Sequence, residues 1–389
     1  MAKERPPRIL VSAGEPSGDN YAARLVRELR RLDPSCEIEG YAGPRAQEAG
    51  LRRIENLLDY SVMGLIPVLL RAGSFLRLIG RIKRHLASYR PDVVVPIDYP
   101  GLHFLLAKWA RARGSKVAYY VSPQLWAWAE WRIRKVKARV DRMLVILPFE
   151  ERYYASHGVE VTFVGHPLFD YLDGLDTDAT LVTTLREGRQ GPMIALLPGS
   201  REQEIRQNLP LQLEAARQIR DHCEDATFVV ANPGHDEKIV ELLAKGVEHR
   251  RFPGLHLRLG SPYDVMAAAD LALVTSGTAT IELTYFRVPM IVTYRTGALT
   301  ATLGRLLTKT RHIGLVNILG GKEVVPEFFT HRDCSREIAE RALELLPGGP
   351  KRCGVVAELA RIREEMGGPG ASERAARVIL ELARSRPRS

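Results

Sequence analysis

Cysteine is scarce in this chain, and the four present, Cys36, Cys223, Cys334 and Cys353, lie far apart. That spacing argues against a disulfide framework and a zinc knuckle, and fits a reducing cytoplasm. There is no run of about 20 apolar residues, so nothing reads as a bilayer span. The opening MAKERPPRILVSAGEPSGD holds no apolar stretch long enough for a signal peptide. GxGxxG is missing too, which leaves a dinucleotide fingerprint without support. Acids are absent between Arg71 and Arg90, where Arg77, Arg81, Lys83 and Arg84 lie. From Lys108 to Arg142, ten Lys or Arg residues face only Glu130 and Asp141. With a net charge of +10 so distributed, the first half predicts an anionic partner: a phosphorylated substrate, an anionic lipid or nucleic acid. No zinc finger, basic zipper or RNA-binding signature accompanies the charge, so nucleic acid ranks last.

What is present is an alternation of strand and helix. At 389 residues, with 45% hydrophobic and 26% charged, the chain is a soluble type too long for one core. Short apolar runs at Arg8 to Ala13, Ile38 to Tyr41, Val93 to Ile97, Lys116 to Val121, Met143 to Leu147 and Val161 to Val164 alternate with helical spacing. The same alternation resumes with Ile194 to Leu197, Phe228 to Ala231, Leu255 to Leu259, Leu271 to Thr275 and Met290 to Tyr294. Such order predicts parallel, doubly wound sheets. The character changes near 170–190. We therefore expect an N-terminal domain over 1–170, a second over 190–348, and C-terminal helices over 349–389 that cross back to the first.

Five loops carry candidate chemistry. The stretch LALVTSGTATIELTYFRVP (271–289) reads as strand, small-residue turn and helix, which aims backbone N–H groups and a positive helix end at a phosphate. Ser276, Gly277, Thr278 and Thr280 would line that turn, and Glu282 is placed to accept from a ribose. A plain N-cap explains Ser276 or Thr278 equally well. Pro198-Gly199-Ser200-Arg201 is a second such turn, and Arg201 at a helix start opposes the dipole unless an anion sits there. GEPSGD (14–19) follows the first strand; Ser17 and Asp19 read as caps, whereas Glu15 has no capping role. Asp98 ends the VVVPI strand at a sheet edge and is either a general base or a helix cap, with His103 just beyond. Asn317 and Glu327 are polar positions in a loop over the same edge of the second sheet.

Residues 62–84 form a basic, apolar and interrupted segment. Met63, Leu65, Ile66, Leu69 and Leu70 belong either to a buried hairpin or to a membrane interface or acyl-chain site, and the interleaved cations favour the second. Trp126, Trp128 and Trp131 can stack on a sugar, sit at lipid headgroups or plug the domain.

Taken together these motifs resemble the lipid-A-disaccharide synthases, glycosyltransferases with two Rossmann-like domains facing a cleft (GT-B). The matching residues are SAGEPSGD (12–19), VMG (62–64), PIDYPGLHF (96–104), YYVSPQLWAW (119–128), PFE (148–150), VGHPL (164–168), LLPGSR (196–201), TSGTATIE (275–282) and VPEFF (325–329). The resemblance implies transfer from UDP-2,3-diacylglucosamine to 2,3-diacylglucosamine 1-phosphate, giving the β-1,6-linked disaccharide 1-phosphate and UDP. It implies Asp98 as base and Arg201 at the leaving diphosphate. Gly199, Ser200, Ser276, Gly277, Thr278, Thr280, Glu282, Asn317 and Glu327 would serve the donor; Glu15, Ser17 and Gly18 would form the acceptor loop. It also implies a cytoplasmic enzyme, peripheral on the inner leaflet of the cytoplasmic membrane, needing no metal or cofactor, and open to homo-oligomer formation. A UDP-sugar 2-epimerase and a non-catalytic, membrane-docked sugar-nucleotide sensor are the competing readings.

Overall fold

A computed structural model describes residues 5–60, 72–175, 178–187, 189–234, 236–297 and 312–385. Met63, Leu65, Ile66, Leu69 and Leu70 therefore lie outside the described residues. The chain forms two units: Met1–Tyr171 with Met366–Ser389, and Leu172–Glu365.

The first unit is built on β1 (Arg8–Ala13), β2 (Glu37–Tyr41), β3 (Arg52–Glu55), β4 (Val93–Ile97), β5 (Lys116–Tyr120), β6 (Arg142–Val145) and β7 (Val161–Phe163). Their order is β3-β2-β1-β4-β5-β6-β7 and every pairing is parallel. Central β4, VVVPI, is buried along its whole length, as a strand covered on both faces must be. Edge strand β3, RRIE, is charged and partly exposed, which leaves it no periodic apolar signal. Helices Ala72–Tyr89, Pro100–Arg111 and Ile133–Arg139 contribute Leu78, Ile82, Leu86, Leu102, Leu106 and Val136 to the core over this sheet.

The second unit is built on β8 (Met193–Leu197), β9 (Thr227–Asn232), β10 (Leu255–Leu259), β11 (Leu271–Thr275), β12 (Met290–Arg295) and β13 (Glu327–Thr330). The order is β10-β9-β8-β11-β12-β13, again all parallel. The apolar runs of β8 and β11 are fully buried at its centre. Of Asn317 and Glu327, both expected in a loop, Asn317 instead lies in helix Leu315–Gly320, and Glu327 opens β13, a half-buried edge strand paired with β12.

The 349–389 region divides between the two units. Helix Arg352–Glu365 packs on helices Thr278–Phe286 and Leu315–Gly320 of the second unit, and Arg363 lies 4.3 Å over the Tyr285 ring. Helix Ala371–Arg384 lies on helix Pro16–Leu32 and on β4 and β5 of the first unit. Its start is fixed by the Asp170 carboxylate, which accepts from the N–H groups of Gly370 (2.6 Å), Ala371 (2.9 Å) and Ser372 (2.8 Å). Among the described residues no helix is long and apolar enough to cross a membrane.

Candidate active site

In a doubly wound sheet, strand order reverses direction at one point, and ligands bind outside the carboxyl ends of the strands there. In the first unit that point lies between β1 and β4, so the two loops meeting there are GEPSGD and DYPG. In the second unit it lies between β8 and β11, so the loops are PGSR and SGTAT. Both pairs are the ones singled out by residue type.

At the first switch point the backbone is strained. Asp98 and Tyr99 are consecutive left-handed residues, with φ of 48° and 49°. Neither is glycine, and such positions cost on the order of 1–3 kcal/mol each unless the surroundings enforce them. The enforcement is visible. The Asp98 N–H donates to the Tyr120 carbonyl (3.1 Å), and its own carbonyl accepts from the Tyr119 hydroxyl (2.7 Å) and His103 Nδ1 (2.6 Å). Because Nδ1 faces a carbonyl it carries the proton, so Nε2 is the acceptor for the Ser12 hydroxyl at 2.9 Å. His103 is fully buried, and that burial lowers its pKa to about 4, so it stays neutral. The Tyr99 ring packs over Gly14, where a Cβ would sit 2.6 Å from a ring carbon. Gly14 is thus required for the two loops to close together.

This closure sets the chemistry of Asp98. Burial, then the nearby negative charge of Glu15, raises its pKa to about 6, while a hydrogen bond from the Tyr99 N–H opposes the rise. A carboxyl so tuned is ionised at neutral pH yet basic enough to take a proton from a hydroxyl. Helix Pro100–Arg111 has no side-chain cap, so Asp98 is not spent as one. Glu15 precedes helix Pro16–Leu32 with no capping bond either. Ser17 is exposed, while Gly18 is buried against Ala13 and Ile97. Asp19 caps the next helix instead, accepting from Gly43, Arg45 and Ala46.

At the second switch point, helix Thr278–Phe286 starts from Gly277 with no side-chain cap. Gly277 has φ 154° and ψ −158°, a region restricted to glycine, and nothing lies within 4 Å of where its Cβ would be. Gly277 and Thr278 are exposed, so the first N–H groups of the helix face an approachable surface. Ser276 donates its hydroxyl to the Ile313 carbonyl (3.3 Å). One helical turn on, Glu282 is half-buried and accepts from the Tyr263 hydroxyl at 3.1 Å. Burial pushes its pKa up to about 7, against that hydrogen bond.

Several candidates are committed within the protein. The Arg201 guanidinium meets Glu204 at 2.8 Å, and the same carboxylate accepts from the Ser200 and Arg201 N–H groups (3.2 and 3.3 Å). The anion inferred at this helix start is therefore supplied by Glu204 itself. Gly199 has φ 114°, and a Cβ there would meet Glu204 at 2.7 Å. Thr280 is fully buried and donates to the Gly277 carbonyl at 2.8 Å. Asn317 is fully buried, accepting from Val324 (2.8 Å) and Val325 (2.9 Å) and donating to the Val325 carbonyl (2.8 Å). Glu327 binds His312 Nδ1 (2.8 Å) and the N–H groups of Ile313 and Gly314, clamping the loop that receives Ser276. These three residues shape the loops rather than offer free groups. Glu204 could have been read from its place three residues after the helix start at Arg201, where a Glu side chain reaches back to the N-cap N–H, although Arg201 cannot accept in return. His103 gave no such signal, because its partners are Ser12 in β1 and the Asp98 carbonyl just past the end of β4.

Comparison with known proteins follows the same lines. Residues 9–378 match the family model described as lipid-A-disaccharide synthetase. A lipid-A-disaccharide synthase of Syntrophus aciditrophicus (strain SB) is 39% identical over 378 residues, covering 96% of this chain and 97% of the relative. One of Anaeromyxobacter dehalogenans (strain 2CP-C) is 40% identical over 381 residues, covering 97% and 98%. Among solved structures, the glycotransferase of kitacinnamycin shares the fold at a TM-score of 0.62 and 16% identity, covering 97% of this chain and 99% of its own. The two parallel sheets, the switch-point loops and these matches lead to one assignment: the chain belongs to the lipid-A-disaccharide synthase family and is a hexosyltransferase built on two Rossmann-like units.

Proposed function

We propose that this family member transfers 2,3-diacylglucosamine from its UDP form to the 6-hydroxyl of 2,3-diacylglucosamine 1-phosphate, with inversion. The observation that carries the reading is the Asp98 carboxyl, raised to about 6 and held at the first switch point with no capping duty. In this reading the acceptor oxygen attacks the anomeric carbon, its proton passes to Asp98, and the bond to the diphosphate breaks. One displacement on an α-linked donor gives a β product. The transition state is oxocarbenium-like, so the developing charge on the leaving diphosphate needs stabilisation. The uncapped N-terminus at Gly277 and Thr278 suits that charge, and Arg201 suits it once Glu204 is displaced as its partner. Glu282 would accept from the ribose hydroxyls, with Tyr263 orienting it.

The acylated substrates place the reaction at a membrane surface, and we read the enzyme as cytoplasmic and peripheral. The described residues have five exposed large hydrophobic side chains, and four of them, Leu76, Leu105, Trp128 and Trp131, follow β3, β4 and β5 in the first unit. Arg132 stacks 5.0 Å over both Trp128 and Trp131, and Lys135 lies 5.1 Å over Trp131. Apolar rings bordered by cations match an anionic lipid interface.

The test supplies both acylated sugars in mixed micelles. Release of UDP that depends on both substrates, with a β linkage in the product by NMR, is the expected result. UDP release without acceptor, sugar epimerisation, or an α linkage would overturn the reading.

A further inference from the structure

We propose that Glu150 is a positioning residue: it fixes the loop that follows β5 and runs into the short helix Leu125–Trp128 as the acceptor-side wall next to Asp98. Glu150 lies in helix Pro148–Ser156, after β6, and only 1% of it is exposed. One carboxylate oxygen accepts from the Ser122 hydroxyl (2.6 Å) and from Trp126 Nε1 (3.1 Å). The other accepts from the Leu147 N–H at 3.3 Å. The last bond is ordinary capping of its own helix. The first two are not, because they reach to the loop that follows the neighbouring strand, β5.

That loop needs holding. It begins at Val121, a β-branched residue in left-handed conformation with φ 59°. One turn after Glu150, the Tyr154 hydroxyl donates to the Pro123 carbonyl at 3.0 Å, and Phe149 meets the Trp126 ring edge-on at 4.9 Å. A single helix therefore grips the loop at Ser122, Pro123 and Trp126.

The loop is also adjacent to the base. β5 pairs with β4 in parallel, with Tyr120 opposite Ile97. Tyr120 and Tyr119 hold the N–H and the carbonyl of Asp98. Residues 122–128 continue from the same strand over the same edge, ending in the exposed Trp128. Only a carboxylate can accept on both sides at once; an amide must turn its NH2 towards a donor on one of them. The acceptor assignment rests on the function proposed above.

The experiment uses the full chain and compares wild type with Glu150→Gln and Tyr154→Phe. Expected for Glu150→Gln is a roughly tenfold weaker acceptor Kd and KM, an unchanged UDP Kd, and greater acrylamide quenching of tryptophan emission. Tyr154→Phe, which removes the hydroxyl's contacts with Pro123 and Ser122 but leaves Glu150 in place, should do the same to a smaller extent. It decides the matter on the same readouts if Glu150→Gln does not fold. Unchanged acceptor binding in a folded variant overturns the proposal, as does an equal loss of UDP binding. Acceptor binding and transfer are scored separately. A wild type that binds acceptor without transferring to it overturns the reaction alone, and one that binds no acceptor overturns both.

Discussion

His103 Nδ1 lies 2.6 Å from the carbonyl oxygen of Asp98, and through Nε2 the same ring reaches Ser12 on β1 at 2.9 Å. One buried imidazole thus braces the backbone of the candidate base against the neighbouring strand. The brace matters because Asp98 and Tyr99 both hold a left-handed conformation that side chains disfavour. His103→Ala should therefore relax the Asp98 turn, lowering kcat about 10- to 100-fold with UDP affinity retained. Ser12→Ala, which leaves the Nδ1 bond in place, should have a smaller effect. Equal kcat in His103→Ala and wild type would show that Tyr119 alone suffices.

The pH profile follows from Asp98. As a base it must be ionised, so turnover should rise with pH through about 6, the value that burial and Glu15 give it. Glu15 raises that pKa by its negative charge. Glu15→Gln removes the charge, lowers the pKa, and moves the acid limb to lower pH. The check is kcat/KM against pH for both proteins; a limb that stays in place or moves up would mean Glu15 is not felt by the base. The same raised pKa has a stability consequence of fixed sign. The folded form holds the Asp98 proton more tightly, so this contribution is present below about pH 4 and lost as pH rises through 6.

Arg201 and Glu204 compete for one interaction. In the structure the guanidinium is paired with Glu204 at 2.8 Å, although its side chain is largely exposed. A diphosphate would replace one anion by another. Arg201→Ala should weaken UDP binding and also lower kcat, because charge on the leaving group grows in the transition state. Glu204→Gln should tighten UDP binding by removing the internal competitor. Calorimetry on both variants decides; a raised KM with normal kcat in Arg201→Ala would confine Arg201 to ground-state binding.

How far the sequence alone reached can be seen in particular elements. The central strands VVVPI, MIALL and LALVT were legible because burial on both faces leaves an uninterrupted apolar run. Their loops were legible because glycine and small residues mark close backbone approach. Strand β3, RRIE, and strand β13, EFFT, were not, since edge strands need not be apolar on both faces. Asn317 and Thr280 carried the right atoms for a ligand, but nothing in their spacing disclosed that neighbouring backbone had already claimed them. The left-handed turn at Asp98 and its brace from His103 depend on Ser12 in β1 and on Tyr119 and Tyr120 in β5, which no local pattern reports.

Membrane attachment gives the last prediction, and it separates two surfaces. One is Leu65, Ile66, Leu69 and Leu70, outside the described residues but crowded together in sequence beside Arg71, Arg77, Arg81, Lys83 and Arg84. Burying four such side chains contributes roughly 6–12 kcal/mol at full depth, so even partial insertion would dominate attachment. The other is the exposed pair Trp128 and Trp131 with Arg132 and Lys135. Replacing the four aliphatic residues by Ser should release the protein from anionic vesicles with UDP binding intact. Trp128→Ser with Trp131→Ser should weaken attachment without abolishing it. Salt should weaken the wild type only in part, because charge attraction is screened while apolar burial is not. Vesicle sedimentation, run beside thermal unfolding, reads all of this. An aliphatic variant that melts far below its parent would place those residues in the core, leaving the tryptophan face to account for any attachment that remains.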